Sequence, residues 1–185
     1  MSGSQPRAGG PSRRRTFAPH ETGHDYWQVL VERVGRVEAY WALFGDEQAD
    51  YGEAMIRYYE NGPAPGWEED HVSAYATMHP WEDWAETFAH YLHIRDTLQT
   101  AAAYGMRVDI PNGKDLSTTP SVDVDNEPIT AILADWLPLT YALNAINRSM
   151  GRDDLYPFVL SPPVIEKLTW VHHTVTSATA LTAPA

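Results

Sequence analysis

His20 and His24 stand four residues apart in the segment His20-Glu21-Thr22-Gly23-His24. On a helix that spacing puts both imidazoles on one face, close enough to grip one metal ion. Glu21 follows the first imidazole, where a carboxylate can reach a water on the metal and act as general base. Zinc lowers the pKa of such a water to about 7, so hydroxide becomes available at neutral pH. Gly23 has a mechanical reading, because a residue without a side chain allows close packing against the motif. The pattern fixes only three positions, so a chance match on a polar helix is the competing reading.

Catalytic zinc takes three protein ligands and keeps one position open. The chain has no cysteine. Disulfides and thiolate sites are therefore excluded, and a third ligand must be another His or a carboxylate. The segment from Tyr75 to Glu86 supplies Glu82 and Glu86, four apart on one helix face and off the stripe of Trp81, Trp84 and Phe88. One of the two is a candidate ligand. The other is a candidate acceptor for a hydrogen bond from a ligand imidazole. The plainer reading makes both solvated charges near a helix N-terminus, where the dipole favours them. His90 and His93 continue the same face, but a solvated or hydrogen-bonded histidine is the commoner role. His71, His79, His172 and His173 have no spacing that argues for a site, and the His172-His173 pair reads as surface.

Helices must position these residues. Trp27, Leu30, Val31 and Val34 recur at helical spacing after His20, with Gly35 as a stop. A short helix holds Val37, Tyr40, Trp41 and Phe44 and ends at Gly45. Asp46 is the candidate cap of a third, running to Tyr59 with Tyr51, Ala54, Met55 and Tyr58 on its apolar face. Pro80 suits the first position of a long helix that buries Trp81, Trp84, Ala85, Phe88 and Leu92 and stops at Gly105. Residues 106–126 read as a loop, with Met106 to Ile110 as the only weak strand candidate. A helix follows from about Glu127 to Met150, kinked or divided at Pro138. A last one runs from Ser161-Pro162 through Val175. The expected organisation is a disordered leader over 1–18, one mainly α domain over 19–176 and a disordered tail over 177–185.

The 185 residues suffice for one domain with a sizeable core, and seven Trp and ten Tyr supply buried area for it. A net charge of −12 argues against nucleic-acid binding, which needs clustered Lys and Arg. The Arg13-Arg14-Arg15 cluster lies in the Gly/Pro/Ser-rich leader and reads as a solvated terminus. No apolar stretch precedes Phe17, so no signal peptide is visible. The most apolar segment, Ile129 to Ile146, contains Asp135, Pro138 and Asn144 and reads as too short and too polar to span a bilayer. A cytoplasmic location without membrane partners is the default expectation.

Five blocks in order carry a resemblance. They are His20-Glu21-Thr22-Gly23-His24-Asp25-Tyr26-Trp27, Phe44 to Gly52, His79 to Thr87, Ala134 to Thr140, and Leu155 to Pro162. Together they resemble a bacterial family of zinc-binding metallopeptidases, from about His20 to His172. More remotely they are similar to gluzincins, where a Tyr lies seven residues before a Glu-x-x-Ala-Glu segment. Tyr75 and Glu82-Asp83-Trp84-Ala85-Glu86 match that arrangement. The resemblance implies one zinc ion held by His20, His24 and Glu82, with Glu86 orienting a ligand histidine. It implies Glu21 as general base, Tyr75 as a hydroxyl that stabilises the oxyanion, and a peptide or protein as substrate. Family members usually carry an N-terminal zinc ribbon, and zincins place a β-sheet before the His motif. Only 19 residues precede His20 here. The competing expectation is therefore a truncated, catalytically silent metal-binding domain, self-associating through the surface that the missing region would cover.

Overall fold

The protein is described by a computed structural model over residues 17–109, 117–121, 123–124, 126–156 and 159–182. Six α-helices and no strand occur among the described residues. α1 spans Phe17–Trp27 and passes into a π-helical turn over Gln28–Glu32. The Arg33 and Arg36 N–H groups donate five residues back, to the carbonyls of Gln28 and Val31, at 3.0 and 2.9 Å. The extra residue in that turn changes the phase of the pattern. Leu30 and Val31 point into the core, while Val34, expected on the same stripe, is left 48% exposed.

α2 spans Val37–Phe44 and stops at Gly45, which adopts φ 95°. α3 spans Tyr51–Asn61, and its cap is Asp50, not Asp46. Both aspartates accept a backbone hydrogen bond. Asp46 takes the Gln48 N–H in the preceding turn at 2.8 Å, and Asp50 takes the Glu53 N–H at 2.8 Å. Asp50 has the extended backbone that leads into a helix, whereas a turn follows Asp46, closed by the Ala49 N–H on the Asp46 carbonyl. Met55 and Tyr51 of this helix are exposed, so its expected apolar face is only partly a core face.

α4 spans Pro80–Ala103 with Pro80 in its first turn, as expected. Its cap is His79, whose Nδ1 accepts from the Trp81 N–H at 3.1 Å. The Nε2–H of the same ring donates to the Ala49 carbonyl at 3.0 Å, which fastens the start of α4 to the entry of α3. α5 spans Ile129–Ser149 and runs through Pro138 undivided. α6 spans Pro162–Thr182, well past the expected end at Val175. Within it the Thr176 hydroxyl donates back to the His172 carbonyl at 2.9 Å. The expected leader lies mostly outside the described residues, although Phe17 and Ala18 are already helical. The strand candidate amounts to a single bridge between Val108 and Thr118, and Ile110 lies outside the described residues.

α4 is the central element. Trp84, Phe88, Tyr91, Ile94 and Leu98 on it are buried against Tyr40 and Phe44 of α2, Leu139 of α5 and Val164, Leu168 and Val171 of α6. Trp81 is not part of this stripe. It is 36% exposed and its ring lies 4.9 Å from that of His24. His172 is also displaced from expectation: it is buried, with Nδ1 3.2 Å from the Tyr91 hydroxyl, while His173 is exposed. α5 is long and apolar enough, by length and composition, to cross a bilayer. Its Ile132, Leu133, Trp136 and Leu139 are nonetheless spent on the domain core, which is how a buried core helix behaves.

Candidate metal centre

α1 and the first turns of α4 meet where Gly23 lies against Ala85. A Cβ on Gly23 would fall 2.9 Å from the Ala85 Cα. The absent side chain lets the two backbones touch, and the buried Trp84 Nε1–H donates to the Gly23 carbonyl at 2.8 Å. This contact brings the two histidines on α1 over the carboxylates on α4.

The result is a converging set of donors. His20 Nε2 lies 2.8 Å and His24 Nε2 3.5 Å from Glu82 Oε2. One ligand atom from each of His20, His24 and Glu82 falls within 4.8 Å of the others, so the three could hold a metal ion. Glu86 Oε1 is 3.6 Å from the same His20 nitrogen, and its other oxygen accepts from the Ser73 hydroxyl at 2.7 Å. Glu86 thus stands beside the nitrogen that faces Glu82. Glu21 is largely exposed, 3.9 Å from His20 Nδ1, and lines the same cleft as Tyr51, Tyr75 and Trp81.

Both α4 carboxylates are buried, Glu82 at 3% exposure and Glu86 at 9%. Their ion pairs among the described residues are to histidine alone. Burying two carboxylates calls for positive charge nearby. Two imidazoles and a carboxylate are a donor set that zinc takes, and a divalent cation would balance the pair. The residues present therefore fit such an ion.

The electrostatics follow from this crowding. Burial alone would push the Glu82 carboxyl upward. Hydrogen bonds from His20, His24 and Tyr51 outweigh it and hold the group well below the ordinary carboxylate range. The hydrogen bond to Glu82 raises the pKa of His20, against the opposing effect of burial. Burial raises Glu86, with Ser73 pulling the other way. Burial and then the Glu82 charge raise Tyr75, so its hydroxyl keeps its proton and remains a donor.

Tyr75 sits in a 3-10 turn over Tyr75–Thr77, and its ring centre is 6.1 Å from that of His20. Three neighbours were not anticipated as part of the site. They are Tyr51, whose hydroxyl donates to Glu82 Oε1 at 2.7 Å, Ser73 beneath Glu86, and Trp81 against His24. Tyr51 is 31 positions from Glu82, and no local spacing announces that contact. His90 and His93 stay outside the donor group. His90 is buried, and its Nδ1–H donates to the Glu86 carbonyl at 2.8 Å.

A second buried polar contact lies one residue along α4. The Asp83 carboxylate, 1% exposed, meets Lys167 Nζ of α6 at 2.6 Å. That ammonium also donates to the Asp70 carbonyl at 2.8 Å. Burial pushes the Asp83 carboxyl up, and the Lys167 charge opposes it.

The sequence pattern of one protein family, described as "putative zinc-binding metallo-peptidase", matches residues 15–174. Uncharacterized proteins of Mycobacterium tuberculosis and Mycobacterium bovis are each 46% identical to the chain over 157 residues. The match covers 84% of this chain and 44% of theirs, so the chain spans less than half the length of these curated relatives. No solved structure matches it.

Proposed function

The chain belongs to the family of that description, and from that premise we propose that it is a zinc-dependent peptidase, with one zinc ion held by His20, His24 and Glu82. The observation that carries this reading is the convergence of those three ligand atoms within 4.8 Å, with Glu21 in the same cleft. Such an ion, when bound, supplies an acidified water and polarises the peptide carbonyl.

The chain's own groups do the rest. Glu21 is exposed enough to reach the attacking water, takes its proton and delivers it to the leaving amine. Tyr75 keeps its proton and donates to the oxyanion that develops on the carbonyl oxygen. Glu86, held by Ser73, keeps a second carboxylate beside the His20 nitrogen that faces the ion, adding negative charge next to the centre. The cleft is open to solvent at Glu21 and bordered by Tyr51, Tyr75 and Trp81, which suits an extended peptide laid across it.

The test is zinc per chain in purified protein, beside His24→Ala and Glu82→Ala, followed by a peptide-library assay of the wild type and Glu21→Gln. One zinc per chain, lost in the first two variants, with hydrolysis abolished in the third, supports the assignment. Hydrolysis by Glu21→Gln at the wild-type rate would sink the mechanism.

A second reading, a metal-binding domain that acts through protein contacts without turnover, draws on the exposed apolar side chains of α3. Ile56 and Tyr59 are 57% and 63% exposed on the helix that borders the cleft. Concentration-dependent association together with zinc binding and no hydrolysis would favour it.

A further inference from the structure

Tyr51 stands at the edge of the cleft. It is 38% exposed, so its ring contributes little to the core. Its position is nevertheless tightly fixed. It is the first residue of α3, directly after the capping Asp50. The preceding Ala49 carbonyl is held by His79, and the Tyr51 and His79 ring centres are 5.1 Å apart. Two independent restraints at the starts of α3 and α4 thus aim one hydroxyl into the cleft. That hydroxyl donates to Glu82 Oε1 at 2.7 Å, while the other oxygen, Oε2, faces His20 and His24.

A carboxylate can offer a metal one oxygen or two. Here the two oxygens of Glu82 are divided between different partners before any ion arrives. We infer that Tyr51 is a positioning residue of the metal centre, which occupies Oε1 of Glu82 so that the carboxylate presents Oε2 alone to an ion shared with His20 and His24. This rests on the zinc reading above and deepens it. Partners that orient a ligand in this way commonly account for 10- to 100-fold in metal affinity, so Tyr51→Phe is expected to weaken zinc binding by about that factor. The ring is retained, so the metal-free variant should still melt cooperatively, at a temperature lowered by the loss of one hydrogen bond to the buried Glu82 carboxylate.

The experiment is a zinc titration against a chromophoric chelator on the wild-type chain, Tyr51→Phe and Tyr75→Phe. It is accompanied by thermal melting of the metal-free proteins and the visible spectrum of each cobalt-substituted form. In the expected result Tyr51→Phe loses about 10- to 100-fold in zinc affinity, and Tyr75→Phe loses much less. The visible cobalt bands of Tyr51→Phe weaken, as they do when a freed second oxygen raises the coordination number. Unchanged affinity and an unchanged cobalt spectrum in Tyr51→Phe would overturn the role of Tyr51 and leave the peptidase reading standing. Equal losses in both tyrosine variants would overturn it too, because the effect would then not be specific to the Glu82 contact. A wild type that binds no zinc would overturn both, whereas the expected affinities without peptide hydrolysis would overturn the peptidase reading and keep Tyr51.

Discussion

Gly23 and Ala85 touch backbone to backbone, and a Cβ placed on Gly23 would lie 2.9 Å from the Ala85 Cα. The contact sits between His20 and His24 on one side and between Glu82 and Glu86 on the other. The registration of the donor set therefore depends on it. Gly23→Ala forces α1 off α4 and is expected to destabilise the protein by about 1–3 kcal/mol, as overpacking does. It should also weaken zinc binding, because the imidazoles retreat from Glu82. Urea denaturation and chelator competition on the same preparation measure the two effects. Wild-type metal affinity in Gly23→Ala would show that the close approach does not set the site.

Zinc binding should depend on pH in a defined direction. Glu82 raises the pKa of His20 above the ordinary 6.5. In the metal-free protein the stabilisation from protonated His20 is fully present below 6.5 and is lost as pH rises through the raised value. The stabilisation from ionised Glu82 is present above the ordinary 4.5 and is lost as pH falls through its depressed value. The pair therefore helps the metal-free fold most between those two ordinary values. An ion must displace the proton on His20, so zinc affinity should fall with decreasing pH, beginning above 6.5. Chelator competition across a pH series checks this. An affinity that is flat through 6.5 would contradict it.

Tyr75 and Glu21 should separate chemistry from metal binding. Tyr75→Phe removes a hydroxyl that borders the cleft without removing a ligand. If the chain hydrolyses peptides, kcat should drop by roughly 10²–10³, the usual cost of one oxyanion donor, with zinc content unchanged. A lower zinc content in step with the lost activity would assign Tyr75 to the metal instead.

The Asp83–Lys167 pair should carry stability rather than chemistry. Lys167→Met leaves the buried Asp83 carboxylate without its cation and strands the Asp70 carbonyl. The expected cost is roughly 3–5 kcal/mol. Adding Asp83→Asn should recover a substantial part, because the buried charge is then gone. The comparison of single and double variants by urea denaturation decides whether the loss arises from the unpaired charge.

The chain itself determined the helices and most of their ends. Pro80, Gly45 and Gly105 act through the backbone conformations they favour, and those preferences are local. The His20/His24 pair and the Glu82/Glu86 pair were legible for the same reason, since a helical turn fixes which residues share a face. The close-packing role of Gly23 was also legible, as a residue type if not as a contact with Ala85. Tertiary structure decided everything that depends on where one helix lies on another. It selected Asp50 over Asp46 as the cap, because the two have equivalent side chains and the chain path puts a turn after Asp46 and the helix after Asp50. It turned Val34 outward through a π-helical turn that no local pattern marks. It buried His172 against Tyr91 and lifted Trp81 onto His24. Above all it delivered the Tyr51 hydroxyl to Glu82 across 31 residues. Hydrogen bonds at that range arise from packing, and sequence spacing holds no trace of them.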